Sequence, residues 1–220
     1  MENRIRLNIF SPFSSFLARQ LAHPSGWIGR VVMTRALNRR NRALISTTLD
    51  ALALTEKTKL LDVGFGGGLS LRLARAQGVR SLSGIDPSIA AVEQLKKTSS
   101  RWLCGADLTV TNGVVEHLPY EQGSFDAILS TNTVYFWVDL AAAFRELHRV
   151  LAAGGRLAVG FSSSERLRSI KAVTRHGFLF HENDELLSGA RRGGFADAQL
   201  VALRGHHSQG NFVLVATSAV

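Results

Sequence analysis

From Lys59 onward the sequence alternates between short apolar runs and amphipathic segments, and this alternation restricts the fold more than any other feature. "KLLDVGF" is a continuous apolar run closed by glycine, which reads as a buried strand. "SLRLARAQG" reads as a short helix, capped by Ser70 and stopped by Gly78. "SLSGID" and "PSIAAVEQLKKT" repeat the pairing, with Pro87 where a missing N–H is tolerated. "LTVTNG" and "FDAILS" are the third and fourth strands. "LAAAFRELHRVL" has apolar residues at 140, 144, 147, 150 and 151, a helical spacing. Gly154 and Gly155 then turn the chain into "RLAVGF", a fifth strand. "ERLRSIKAVTRHGF" reads as a helix over the sheet edge. "ENDELLSGARRGGF" reads as a helix with acids in its first turn and arginines in its last, as the helix dipole favours. "AQLVAL" and "NFVLVAT" close the series. Such alternation builds βαβ units and a mostly parallel sheet. Seven strands fit one doubly wound α/β domain.

The 220 residues suit a single core. No run approaches the roughly 18 apolar residues of a membrane span, and the N-terminus lacks a clean hydrophobic stretch before a small-residue cleavage site. Cys104 is the only cysteine, which excludes a disulfide framework, and it is expected to be a buried filler. The seven histidines show no metal-ligand spacing, so no metal is expected. These features place the chain in the cytoplasm. The net charge of +9 is uneven: residues 1–42 hold eight arginines against one glutamate, and the remainder is nearly neutral. A basic arm of this kind meets an acidic substrate, an anionic membrane surface or nucleic acid; its plain alternative is a solvated face.

"LLDVGFGGGLS" sets Gly64, Gly66, Gly67 and Gly68 at the end of the first, central strand, where open α/β sheets bind their ligands. Something must approach that backbone closely. A dinucleotide requires GxGxxG, but counting from Gly64 or Gly66 the sixth position is Leu69 or Leu71. What stands there instead is Asp62-x-Gly64-x-Gly66-x-Gly68. An acid in the glycine loop suits a cation and repels a pyrophosphate. "SGIDPS" adds Asp86, 24 residues after Asp62, near the spacing at which an acid meets a ribose in this topology. Helix capping is the plain reading of Asp86.

The Asp62–Gly68 pattern resembles the first motif of class I S-adenosylmethionine (SAM) dependent methyltransferases. "VVEHLPYEQGSFDAILSTNTVYFW", "ELHRVLAAGGRLAV" and "LLSGARRGGF" are similar to further segments of that family, in the same order, in the small-molecule group typified by ubiquinone and menaquinone biosynthesis. The resemblance covers roughly residues 60–217. It implies a Rossmann-like, doubly wound, seven-stranded, mostly parallel sheet with helices on both faces, an antiparallel last strand and an N-terminal helical extension. Residues 1–58 would be a helical arm or lid within the same domain, and residues 59–220 the SAM-binding part. It implies SAM as cofactor, held by Asp62, Gly64, Phe65, Gly66, Gly68, Asp86, Pro87, Gly113, Val114, Val115 and Ser130. One departure stands out. Val114 occupies the place where the family has an acid that bonds the adenine amino group. The Val115 backbone can still meet the ring edge, with Glu116 or Asp107 as substitute or with packing alone holding the base.

Methyl transfer from a sulfonium needs alignment and exclusion of water more than it needs a base. Trp27, Asn132, Tyr135, Phe136 and Trp137 are the expected acceptor-side residues, the aromatics forming a wall that also favours a cationic methyl; their plain reading is ordinary core packing. Tyr135 and His176 are the candidates for a catalytic role. His148, on the helix before "RVL", is expected at the surface or as a cap. Phe10, Phe13, Phe16 and Trp27 among the arginines make the arm an expected lid. The leading reading is a methyltransferase for a small apolar, aromatic or quinone-like acceptor. A second gives it RNA or another polyanion, against which "STNT" stands where base-amino methyltransferases carry an "NPPY"-like tetrapeptide. A third is a non-catalytic binder that kept the fold.

Overall fold

The computed structural model describes residues 41–168, 178–203 and 210–219. Seven strands form one sheet: β1 (Lys59–Val63), β2 (Ser81–Asp86), β3 (Asp107–Asn112), β4 (Phe125–Thr131), β5 (Leu151–Ser162), β6 (Gln199–Ala202) and β7 (Asn211–Thr217). Their order is β3-β2-β1-β4-β5-β7-β6. The first five run parallel, and β7 is antiparallel to both β5 and β6. The expected Rossmann-like architecture is therefore present. The chain moves outward from β1 to β3 and returns to β4 on the other side of β1. The switch point thus lies between β1 and β4, at the end of the glycine run.

Among the described residues seven α-helices flank the sheet: α1 (41–50), α2 (Leu69–Ala76), α3 (Ile89–Thr98), α4 (Ser100–Leu103), α5 (Leu140–Val150), α6 (Ser164–Arg168) and α7 (Asn183–Arg192). Because side chains alternate across a strand, consecutive residues feed opposite faces. Leu60, Leu129, Ala158 and Val213 pack with Leu44 and Leu49 of α1, Leu71 and Ala74 of α2, and Val92 and Leu95 of α3. Leu61, Ile128, Leu157 and Leu214 pack with Phe144 and Leu147 of α5 and Leu186 and Ala190 of α7. The continuous apolar runs of the inner strands are what this double covering demands.

Helix α1 runs against the strand direction. Leu44 and Thr48 press on Gly160 near the end of β5, where a Cβ would fall 2.2 Å from Thr48 Oγ1, and Asp50 lies 3.5 Å from Gln77 beyond the end of α2. Residue 41 accordingly joins the domain on the side of the strands' carboxyl ends. The expected helix "IGRVVMTRAL", and all of the "ERLRSIKAVTRHGF" segment after Arg168 except Phe178, lie outside the described residues.

Three expectations need correction. Ser70 does not cap α2: Gly68 is the N-cap, in the left-handed region, and Ser70 is buried in the first turn. Gly154–Gly155 do not separate α5 from the fifth strand, because β5 begins at Leu151; its pairing with β4 shifts between Phe125↔Leu151 and Ala127↔Arg156, and the glycine pair occupies that irregularity. Cys104 is exposed, in a left-handed conformation that ends α4, so it fills no core space.

Candidate functional site

Strand β1 drives Asp62 and Val63 to opposite faces, and Asp62 falls on the face covered by α2. There it is 1% exposed, and Ser70 Oγ donates to its Oδ2. Burial pushes the Asp62 carboxyl up to about 7; the Ser70 hydrogen bond opposes this and the nearby Asp86 charge adds to it. Asp86, at the tip of β2, is 6% exposed. Its Oδ2 accepts from Gly66 N at 2.8 Å and its Oδ1 from Ser88 N at 2.8 Å. Burial raises its pKa as well, against the pull of those two N–H groups. Among the described residues the partners of both carboxylates are a hydroxyl and main-chain N–H groups, not a lysine or arginine. The helix-capping reading of Asp86 is met only in part. Ser88 is the side-chain cap of α3, accepting from Ala91 N at 3.3 Å.

The glycines serve different ends. All three alternate ones have positive φ: Gly64 at 77°, Gly66 at 51° and Gly68 at 70°. A Cβ on Gly64 would sit 2.3 Å from Thr133 Cγ2, and one on Gly68 2.5 Å from Leu95 Cδ1. Those two glycines are required by neighbours within the protein. Among the described residues, a Cβ on Gly66 would meet nothing within 4 Å. Gly66 is the exposed one among the three, and its N–H is turned to Asp86. Open space among the described residues therefore lies above Gly66.

The other expected residues divide clearly. Phe65 is buried and occupies the place a Cβ on Gly84 would need. Ser130 is fully buried and donates to Val63 O at 2.7 Å, with Thr133 Oγ1 as a further partner. Val115 is buried in the core. Trp137 is 3% exposed and packs edge-on against Phe144 at 5.5 Å, so it belongs to the core and not to a wall. Pro87 and Val114 are exposed at the rim, as is Ile89 at the start of α3. Gly113 continues the β2–β3 contact by donating to Asp86 O at 3.2 Å. Asp107 cannot reach the base, because it opens β3 at the amino end while the crevice lies at the carboxyl end. Glu116 is engaged by Val138 N at 3.0 Å, which ties the loop after β3 to the loop after β4.

Beyond β4, Asn132 adopts φ 58° and accepts through Oδ1 from Tyr135 OH at 3.1 Å. Ser162 N donates to the same hydroxyl at 2.5 Å. Tyr135 is 4% exposed, and burial pushes its pKa up to about 12. Phe136, 42% exposed, meets Phe178 at 4.9 Å, and Phe178 also flanks Tyr135 at 5.8 Å. Leu179 N bonds Tyr135 O at 2.8 Å. His148 is half-buried with its ring edge-on to Phe195 at 5.0 Å. His181 faces a shallow groove with Val138, Leu140, Asp184, Glu185 and Arg192, which shares no residue with the glycine crevice. Trp27, His176 and the aromatic residues of the arm lie outside the described residues.

Four residues were missed: Ser70, Ser88, Asn112 and Thr133. Asn112 Nδ2 donates to the carbonyls of Asp86 and Pro87, each at 2.9 Å. Aligning the ends of "SLSGID" and "DLTVTN" as parallel neighbours would have set Asn112 opposite Asp86, as the register does.

A mostly parallel sheet with a glycine-rich turn at its switch point, one carboxylate buried beneath the turn and a second at the next strand tip, is an arrangement similar to that of class I SAM-dependent methyltransferase domains. Residues 61–159 match a family model described as a methyltransferase domain, whose cofactor is SAM. Among curated relatives, the chain is similar to the malonyl-[acyl-carrier protein] O-methyltransferase of Geobacter sulfurreducens, 31% identical over 66% of this chain and 58% of that protein. It is also similar to the ubiquinone/menaquinone biosynthesis C-methyltransferase of Geotalea uraniireducens, 33% identical over 56% and 54%. The chain thus spans little more than half the length of these two. Among solved structures, geranyl diphosphate C-methyltransferase from Streptomyces coelicolor, in complex with Mg2+, geranyl diphosphate and S-adenosyl-L-homocysteine (SAH), shares the fold with a TM-score of 0.70 at 16% identity, covering 95% of this chain and 99% of that one. No helix among the described residues is long and apolar enough to cross a membrane.

Proposed function

We propose that the protein transfers the methyl group of SAM to a small apolar or aromatic acceptor by in-line displacement. The observation that carries this reading is the pair of carboxylates around Gly66. Asp86 is held with half of its acceptor capacity already used by Gly66 and Ser88, which leaves about two of its roughly four lone-pair sites for the two hydroxyls of a ribose. Among the described residues Asp62 is a buried acid without a cationic partner in its hydrogen bonding, and an ammonium-bearing ligand supplies one. The open space over Gly66 admits the ligand to the main chain. Bound SAM supplies a methyl group on a cationic sulfur, an electrophile that needs no activation.

The protein's part is to hold, orient and exclude water. Pro87, Ile89 and Val114 offer apolar surface beside the strand tips for the adenine, with the main chain at Gly113 and Val115 along its edge. This favours packing over an acid as the substitute at Val114, since Asp107 is remote and Glu116 is engaged. On the acceptor side, Asn132 and Phe136 stand at the tip of β4, backed by Tyr135 and Phe178. Tyr135, with its pKa pushed up to about 12, is a neutral positioning donor at physiological pH and not a base. The apolar Phe136–Phe178 surface supports a small apolar or aromatic acceptor, as does the similarity to a ubiquinone/menaquinone biosynthesis C-methyltransferase.

Residue 41 joins the domain on the side of the strands' carboxyl ends, which supports the reading of residues 1–40 as a lid over the crevice that chooses the acceptor. Incubating the full chain with methyl-labelled SAM and a panel of phenols, quinols and carboxylic acids tests the reading. Label recovered in an organic-soluble product supports it. Label recovered only in RNA, when RNA is offered beside the panel, would transfer support to the polyanion reading.

A further inference from the structure

We infer that Asn112 is the positioning residue for the ribose end of the cofactor, a role that rests on the placement of SAM proposed above. Strands β2 and β3 end in register, with Asp86 opposite Asn112. At that point the chain of β2 must leave the sheet and enter α3 within two residues, since Ser88 already caps the helix. A turn this short has few ladder bonds to hold it. Asn112 supplies two more: its Nδ2 donates both protons to one turn, to Asp86 O and to Pro87 O, each at 2.9 Å. Gly113 N adds a longer bond to Asp86 O at 3.2 Å.

From the opposite side, β1 grips the same segment. Gly64 N donates to Ile85 O at 2.7 Å, and Gly66 N to Asp86 Oδ2 at 2.8 Å. The Asp86 backbone is therefore held between β3 on one flank and the glycine turn on the other. The carboxylate follows that backbone, because Ser88 N, which fixes Oδ1, moves with the turn that Asn112 pins. Main-chain bonds alone leave the Pro87 carbonyl without this anchor. Asn112 itself is exposed at the end of the edge strand, so its replacement opens no core cavity. Its effect is expected at the two free lone pairs of Asp86, and hence on whichever ligand hydroxyls they accept from.

The test is a titration of the full chain with SAH and with its 2′-deoxyribose counterpart, for the native protein, Asn112→Ala and Asn112→Asp. The native protein should prefer SAH. Asn112→Ala should weaken SAH about tenfold, as the loss of one well-placed polar contact implies, while the deoxy ligand changes less than about threefold. Asn112→Asp, which turns a carboxylate toward two carbonyls, should shrink the preference at least as much. The comparison is between two ligands on one protein, so a general loss of stability cancels. Equal weakening of both ligands in both variants, or weakening of neither, overturns the role of Asn112. Failure of the native protein to bind SAH at all would instead remove the placement of SAM.

Discussion

The main-chain N–H of Gly66 donates to Oδ2 of Asp86 across 2.8 Å, joining the turn after β1 to the tip of β2. That bond fixes the distance between the glycine turn and the carboxylate through the protein's own groups. Preorganisation of this kind is what an enzyme that works chiefly by orientation requires. Gly66, with open space above it among the described residues, stands apart from Gly64 and Gly68, which their neighbours within the protein require.

Gly66→Ala and Gly68→Ala should therefore fail in different ways. Both place a side chain at positive φ, which costs roughly 1–2 kcal/mol. Gly68→Ala must also displace Leu95, whose Cδ1 lies 2.5 Å from the new Cβ, so it should lower the melting temperature further. Gly66→Ala meets open space among the described residues but intrudes on the proposed position of SAM. It should fold with the smaller loss and bind SAH at least about tenfold more weakly, a factor worth about 1.4 kcal/mol. Thermal melts and calorimetry of the two variants separate the effects.

Asp62 gives the protein a pH dependence with a definite sign. Its carboxyl is raised from 3.8 to about 7, first by burial, so between those values the folded chain holds a proton that the unfolded chain has released. The corresponding stability is complete below about pH 4 and is lost as pH rises toward 7. Asp62→Asn removes the titration. The variant should melt above the native protein at pH 8, by a margin that disappears near pH 4. An ammonium-bearing ligand should draw Asp62 into its charged form, so SAH binding at pH 6.5 should release a proton. Calorimetric enthalpies that differ between buffers of different ionisation heat would reveal it.

Tyr135→Phe removes the partner of Ser162 N and of Asn132 Oδ1. An orphaned buried N–H costs roughly 1–3 kcal/mol, so the variant should melt several degrees lower. Because the native hydroxyl stays protonated until about pH 12, the pH profile of methyl transfer should keep its shape between pH 6 and 10. A profile that loses a limb in this variant would make Tyr135 a base.

Removing residues 1–40 tests the lid. The truncated chain should bind SAH within a fewfold of the full chain, since the carboxylates and Gly66 lie in the remaining part. It should lose transfer to the acceptor. Unchanged turnover would dismiss the lid.

The fold was legible because the inner strands are apolar on both faces, and a run such as "KLLDVGF" has few other ways to be buried. The acids at 62 and 86 were legible because they sit where apolar runs end. The division of labour among the glycines was not, since it depends on Thr133 and Leu95 arriving from distant segments. Trp137 was misplaced for a similar reason: it lies one residue beyond the exposed Phe136, and only the short 3-10 turn at Val134–Phe136 decides which ring faces Phe144. Ser70 reads as a cap by type, but the left-handed Gly68 starts the helix and leaves the hydroxyl for Asp62.

The most direct measurement of the central claim is calorimetric titration of the full chain with SAH and, separately, with NAD, repeated on Asp86→Asn. One SAH site per chain, weakened about tenfold or more in the variant, together with no heat from NAD, is the predicted result. Heat from NAD and none from SAH, or an SAH site indifferent to Asp86, would contradict it.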